Sequence, residues 1–297
     1  MPDPRLRSVL YVPGANERAL EKARELPADG LILDLEDAVL PEVKPRARAR
    51  VCNAVSSGAF RDRTVAIRVN GIDTPWHDDD LVSAAAVAPD GILVPKVGSA
   101  QDVQALEHAL ARLGAPEHTR LWVMLETPSA VLRSAEIAAA GGRLSVLVLG
   151  TNDLLTELRA ENLPGRRPLE LSLMLCLLAA RAGGRMILDG VYNDLRDEGG
   201  FEAECKAGRQ LGFDGKTLIH PSQIEVCNRI FSPSDAELEQ ARRVIAAFKQ
   251  AARAGRGVVT LDGRLIERLH VDAALKTLAR ADPPETLGIS PEDVNRL

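Results

Sequence analysis

Five short apolar runs in this chain end abruptly in charged or amide side chains, and no other feature constrains the fold as much. They are ILDLED (Ile32–Asp37), VAIRVN (Val65–Asn70), ILVPK (Ile92–Lys96), WVMLE (Trp122–Glu126) and VLVLGTND (Val146–Asp153). Strands that read as continuous apolar runs are buried on both faces, as in parallel sheets covered by helices. Polar groups at the carboxyl ends of such strands are where α/β barrels and doubly wound sheets place their chemistry. The pattern reads as an enzyme with its active site at those strand ends.

Strand signals fall near Val9–Val12, Leu31–Leu35, Val65–Val69, Ile92–Val94, Leu121–Leu125, Val146–Leu149, Met186–Leu188 and Thr217–Ile219. Helical stretches such as Glu17–Glu25, Lys44–Val55, Ala100–Leu113, Ser129–Ala140 and Leu169–Ala182 lie between them. This alternation predicts a (β/α)₈ TIM barrel, and 297 residues accommodate its usual ~250 plus an extension. A doubly wound sheet would need a Gly-rich dinucleotide loop, and PGANER (Pro13–Arg18) is not G-x-G-x-x-G. The barrel core is expected over 1–231, its final helix over 232–254, and a C-terminal extension over 255–297. That extension reads as a hairpin around Asp262–Gly263, a helix over Val271–Ala281 and a polar tail, acting as a lid or an oligomerisation arm.

A net charge of −5 leaves no basic footprint for nucleic acid or an anionic membrane. The basic cluster Lys44–Arg50 is expected to be a solvated helix face. Cys52, Cys176, Cys205 and Cys227 are scattered without metal-ligand spacing, as expected of reduced thiols in a cytoplasmic protein. The first residues lack a signal-peptide core, and the longest apolar stretch, Leu171–Ala180, is far shorter than the ~20 residues that span a bilayer.

Side chains alternate faces along a strand. One face carries Leu31, Leu33 and Leu35, and the other Ile32, Asp34 and Glu36. The matching faces of later runs carry Ala66, Arg68 and Asn70, then Trp122, Met124 and Glu126. The second face turns polar only toward the carboxyl end, as a barrel lumen opening at its top requires. Glu126 and Asp153 end the fifth and sixth strands and so reach one mouth. Two carboxylates with free coordination positions suit Mg²⁺, which keeps waters and accepts substrate oxygens. Strand-end caps or surface acids are the plainer alternative. Arg68 favours the metal reading, because a cation beside a dication calls for an anionic substrate.

Glu36 and Asp37 extend the acidic cluster, either as metal ligands or as structural partners of Arg68 or Lys96. Asp34 is expected to be buried and to orient its neighbours. Asn16 reads as an N-cap, with a phosphate at Pro13–Asn16 and the helix N-terminus as the functional alternative. His220, ending the eighth strand, sits either at a phosphate position or in a satisfied loop. His77, His108, His118 and His270 show no metal-ligand spacing.

The ordered set LYVPG, LILDLEDAV, IRVNG, VPK, MLETP, LGTNDL, LDGVYND, FDGKTLIHPSQI and LDGRLIE resembles the citrate lyase β-subunit-like family. That family includes malyl-CoA and citramalyl-CoA lyases of the HpcH/HpaI aldolase superfamily. The resemblance runs from about Arg7 to Ala281; each motif alone is weak, and the ordered set is specific. It implies a TIM barrel, a divalent metal (Mg²⁺, with Mn²⁺ as an alternative), and chemistry on a carbon–carbon bond beside a coenzyme A thioester. By motif it implies Glu126 and Asp153 as metal ligands and Arg68 as the contact to substrate and thioester carbonyl. Lys96, Lys216 and His220, with Pro13 and Gly14, are thioester-binding candidates by position.

The implied reaction cleaves a malyl-, citramalyl- or citryl-CoA type 3-hydroxyacyl thioester to a 2-oxo acid and an acyl thioester, through a metal-stabilised alkoxide and a thioester enolate. A hydroxyacyl-CoA thioesterase or malate-synthase-like activity is the alternative, as is a carrier-protein-dependent β-subunit of a citrate lyase-type complex. Members are commonly trimers or hexamers in which the C-terminal segment reaches a neighbour's site. The chain departs from the family at one place. Where relatives carry Asp, and Pro two residues later, this chain has Glu267 and Leu269. That Asp acts on the carbon beside the thioester, so the resemblance makes Glu267 the acid–base group, one methylene longer.

Overall fold

The computed structural model describes residues 4–281. Eight parallel strands close into a barrel. They are β1 (Ser8–Pro13), β2 (Gly30–Asp34), β3 (Thr64–Arg68), β4 (Gly91–Val94), β5 (Arg120–Leu125), β6 (Leu144–Leu149), β7 (Met186–Asp189) and β8 (Gly215–Leu218). Pairing of β1 with β8, Val9 opposite Thr217, completes the ring and leaves no open edge. The expected (β/α)₈ TIM barrel is what the chain forms.

Two apolar layers follow from the alternation of strand side chains. Leu31, Leu33, Val65, Ile67, Leu121 and Val123 point outward into the core shared with the helices. Val9, Ile32, Ala66, Leu93, Trp122, Met124, Val146 and Leu188 fill the lumen. Trp122 is the largest of these, and Gly91 makes room for it: a Cβ there would come within 2.7 Å of the indole Nε1. The lumen is thus plugged below, and its polar residues are confined to the carboxyl end.

The helices start where side-chain caps allow. Asn16, Ser99 and Thr127 accept from Ala19, Asp102 and Ala130 amides, so Asn16 does cap its helix. The stretch expected as one helix over Ser129–Ala140 is two, Pro128–Leu132 and Ser134–Ala139, because Arg133 leaves helical geometry at φ −105°, ψ 11°. The expected solvated face at Lys44–Arg50 is wrong for Lys44, which is buried with three hydrogen-bond acceptors around its ammonium. Among the described residues no helix is long and apolar enough to cross a membrane.

The chain divides into two compact units, the first ending at Phe231 and the second beginning at Ser232. In the second, a helix Asp235–Arg253, a hairpin of Val259–Leu261 with Arg264–Ile266, and a helix Arg268–Ala279 share a core. The helix expected to finish the barrel buries Ala241, Val244, Ile245 and Phe248 in that second core. Asp262 and Gly263 both have positive φ, 52° and 76°, as a two-residue hairpin turn of this hand requires. The Pro- and Glu-rich tail lies outside the described residues.

Candidate active site at the carboxyl mouth of the barrel

A cavity of about 390 Å³ opens at the carboxyl end of the strands. Tyr11 and Pro13 of β1, Asp34 of β2, Arg68 of β3, Glu126 after β5 and Asp153 after β6 all line it. Strand register sets the first contacts: Pro13 lies opposite Asp34, and Asp34 opposite Arg68.

Arg68 is 7% exposed and clamped on three sides. Nε and Nη2 donate to the two carboxylate oxygens of Asp34 at 2.6 and 2.7 Å. Nη1 lies 2.6 Å from Glu36 Oε2 and 3.5 Å from Asp37 Oδ2. The guanidinium also stacks over the Tyr11 ring, 4.9 Å from its centroid. Burial works against the Arg68 charge, but Asp34 overcomes it and holds the group protonated. Glu36 and Asp37 therefore pair with Arg68, the structural alternative raised for them.

Glu126 is 3% exposed, and its Oε1 accepts the Lys96 amide at 2.7 Å. Gly150 makes this possible, since a Cβ at that position would strike the Glu126 side chain. Lys96 takes φ 56°, a strained backbone for a non-glycine residue, of the kind tolerated where surroundings demand it. Its exposed ammonium lies 3.8 Å from Asp153 and 4.0 Å from Glu36. Burial, with the Glu36 charge next, pushes the Glu126 carboxyl up to about 8. Burial likewise raises Glu36 to about 7, against the pull of Arg68.

Five carboxylates thus meet two cations at the mouth, an imbalance that a divalent cation would relieve. The donor set fits one. Glu126 and Asp153 line the same cavity, a carboxylate pair of the kind Mg²⁺ would complete with water and substrate oxygens; among the described residues no three metal-ligating side chains cluster. Glu36 Oε2 is a buried oxygen without a hydrogen-bond partner, its approach to Arg68 being an ion pair at an unfavourable angle.

The remaining expected residues make other contacts. Lys216 is not a mouth residue: it is fully buried, its ammonium 3.1 Å from Asp189 and 2.7 Å from Glu204, where Arg166 also pairs with Asp189. A cation so enclosed cannot reach a thioester. His220 is exposed and caps its own turn, Nδ1 accepting the Ser222 amide at 3.2 Å. Gly14 donates its amide to the Asp34 carbonyl, too close to admit a side chain. Glu267 belongs to the second unit, where it begins the helix Arg268–Ala279 and its amide donates to His270 Nδ1 at 3.0 Å.

Sequence reasoning missed Tyr11, Lys44 and Asp80. Tyr11 gave a signal in its place on β1, two residues before Pro13 and on the same strand face. Asp80 is fully buried and accepts both the amide and the side chain of Asn70, yet the run of three acids around it reads as a solvated helix start.

A family model described as HpcH/HpaI aldolase/citrate lyase matches residues 7–221. A second, described as a C–C bond lyase of the TIM-barrel fold, matches residues 171–283. A (3S)-malyl-CoA thioesterase from Cereibacter sphaeroides is 50% identical over 284 residues, covering 96% of this chain and 97% of that protein. The citrate lyase subunit beta of Escherichia coli is 38% identical over 281 residues, 93% of each chain. Among solved structures, the protein CitE from Mycobacterium tuberculosis in complex with magnesium, acetoacetate and coenzyme A superposes with a TM-score of 0.74. Its sequence identity is 30%, over 93% of this chain and 97% of that one.

Proposed function

The chain belongs to the HpcH/HpaI aldolase/citrate lyase family of carbon–carbon lyases, and from that premise we propose that it is a Mg²⁺-dependent enzyme acting on a malyl-type 3-hydroxyacyl-CoA thioester, with hydrolysis to free coenzyme A and the hydroxy acid as its net reaction. One observation carries the substrate class: a buried arginine, immobilised by Asp34, faces two carboxylates suited to a divalent cation across one cavity. That combination calls for a ligand with several anionic or polarised oxygens. The relative at 50% identity along nearly its whole length favours the hydrolytic outcome.

Glu126 and Asp153 would hold the divalent cation, which would supply Lewis-acid stabilisation of negative charge on substrate oxygens. Arg68 holds the thioester oxygen, already oriented before charge develops there. Glu36 takes a proton from water, whose oxygen bonds to the thioester carbonyl carbon. The carbon–sulfur bond then breaks, and Glu36 passes the proton it took to the departing sulfur. The exposed Lys96 ammonium at the entrance steers the acyl carboxylate, while Asp37 stays paired with Arg68. Pro13 shapes the cavity wall, and Gly14 behind it lets the chain approach the Asp34 carbonyl.

Carbon–carbon cleavage is the second reading, favoured by the family models and the citrate lyase relatives. It uses the same Arg68, with Glu267 supplied by a neighbouring copy of the chain to protonate the carbon left beside the thioester. Assembly as a trimer or hexamer, with the C-terminal unit as an arm, and residence in the cytoplasm belong to the same proposal. The experiment incubates the protein with Mg²⁺ and malyl-, citramalyl- and citryl-CoA while tracking 2-oxo acid and free thiol separately. Metal-dependent thiol without oxo acid is expected. Oxo acid without thiol would replace hydrolysis with the lyase reaction. Silence in both channels would overturn the CoA reading in favour of a carrier-protein thioester.

A further inference from the structure

We infer that Lys44 is a positioning residue of this active site, setting the Arg68 guanidinium through the turn that follows β2; the inference rests on the reading that Arg68 holds a polarised carbonyl oxygen of the substrate, an atom that a 2-oxo acid also offers. Lys44 opens the helix Lys44–Ser56, where a lysine is ordinarily solvated, yet it is 6% exposed. Its ammonium donates to the carbonyls of Leu35 and Glu36, both at 2.9 Å, and to Asn70 Oδ1 at 2.6 Å. The Trp76 ring covers it, its centroid 5.0 Å away. An ammonium has three donors, and here each has its acceptor inside the protein.

The placing of those acceptors gives Lys44 its role. Leu35 and Glu36 form the chain leaving β2, directly after Asp34, and their turn is fixed on the other side by the Glu36 amide donating to Asp34 Oδ1 at 2.9 Å. Asn70 leaves β3 two residues after Arg68. Lys44 therefore ties together the two strand exits whose side chains form the Asp34–Arg68–Glu36 group. The tie is backed from outside: Asp80 accepts the Asn70 amide at 3.0 Å and is itself held by Arg48 Nε at 2.7 Å. Arg48 lies four residues after Lys44 on the same helix, so one helix face supplies both anchors. A merely structural lysine would stabilise the fold as a whole. One that positions Arg68 affects oxo-acid binding through Glu36 and leaves the Glu126–Asp153 metal site alone.

Calorimetry on the full chain separates these roles. Mg²⁺ alone is titrated first, then pyruvate in saturating Mg²⁺, with wild type, Lys44→Met, Glu36→Gln, their double variant and Arg68→Ala. In Lys44→Met we expect Mg²⁺ affinity within about twofold of wild type and pyruvate affinity weakened about tenfold, the scale of a small misplacement. The double variant should bind pyruvate no more weakly than the weaker single variant, because both losses pass through one turn. Losses that multiply, or a parallel loss of Mg²⁺ binding, would overturn the inference. Lys44→Arg serves as a second variant should Lys44→Met fail to fold: it keeps the charge, but its planar fork cannot address three acceptors, and the same split is expected. If Arg68→Ala binds pyruvate as wild type does, the reading of the mouth itself fails. If Arg68→Ala weakens pyruvate while Lys44→Met does not, only the role of Lys44 falls.

Discussion

Asp34 grips Arg68 with both oxygens of its carboxylate, at 2.6 and 2.7 Å, and so fixes the plane of the guanidinium while leaving Nη1 turned toward Glu36 and Asp37. The bidentate geometry removes the rotational freedom that an arginine at a cavity wall would otherwise keep. A charge that is already oriented costs no reorganisation when negative charge develops on the substrate, and this is where electrostatic catalysis gains most.

Asp34→Asn tests that arrangement. It keeps the volume but removes the bidentate counter-charge of a buried guanidinium and leaves it Glu36 and Asp37 alone, and breaking such a pair costs roughly 3 kcal/mol. Turnover should fall about 100-fold, the usual cost of losing one preorganised donor. Denaturant unfolding beside steady-state kinetics checks both effects. Full activity at reduced stability would make Asp34 a purely structural acid.

The Glu126 carboxyl gives a pH signature. Burial raises it to about 8, whereas in the unfolded chain it ionises near its ordinary 4.5. The neutral form therefore favours the folded state: its contribution is complete below about 4.5 and is lost progressively as pH rises to about 8. Metal-free protein should show a lower Tm at pH 8.5 than at pH 6.5, and Glu126→Gln should flatten that decline. Saturating Mg²⁺ should reverse the slope, because it binds the ionised form. Scanning calorimetry with and without chelator measures all three, and an unchanged slope in Glu126→Gln would remove Glu126 as its source.

Gly150→Ala offers a way to move a ligand without changing any charge. The new methyl group would collide with Glu126, whose Oε1 is tied to the Lys96 amide, so the carboxylate must shift. Mg²⁺ affinity should fall at least tenfold, by the sensitivity of such sites to ~1 Å displacements, while Arg68-dependent anion contacts remain. Metal titration followed by tryptophan emission would show it, Trp122 lying in the lumen below.

What the sequence made legible here is the barrel and the ends of its strands, because burial on both faces and the alternation of Ile32, Asp34 and Glu36 are local properties of a few residues. Arg68, Glu126 and Asp153 stood out for the same reason. Lys44 and Lys216 did not. Lys44 begins the basic run KPRARAR, and nothing near it signals that its ammonium meets the exits of β2 and β3. Lys216 is neutralised by Asp189, 27 residues away, and Glu204, 12 away, a pairing that the crossover from β7 through its helix to β8 creates. The helix His77–Val87 escaped notice because its buried face, His77, Asp80, Leu81, Ala84 and Ala85, carries one large apolar side chain and it opens on a run of acids. Local patterning thus revealed where chemistry could occur, and long-range charge pairing decided which cations were free to take part.

Glu267 stands where the family resemblance implies an aspartate, and Glu267→Asp introduces that shorter acid. If the longer side chain has moved proton delivery away from the carbon beside the thioester, shortening it should raise 2-oxo acid formation relative to thiol release. Misplacement of about 1 Å is worth about 100-fold, so a tenfold or greater change in that product ratio is expected. Glu267 also begins the helix Arg268–Ala279, where Asp is at least as good an N-cap, so thermal stability should be unaffected. Product ratios from the two-channel assay decide the matter. An unchanged ratio would mean that Glu267 does not govern the choice between the two reactions, and the preference would then reside in the cavity formed by Tyr11, Arg68, Glu126 and Asp153.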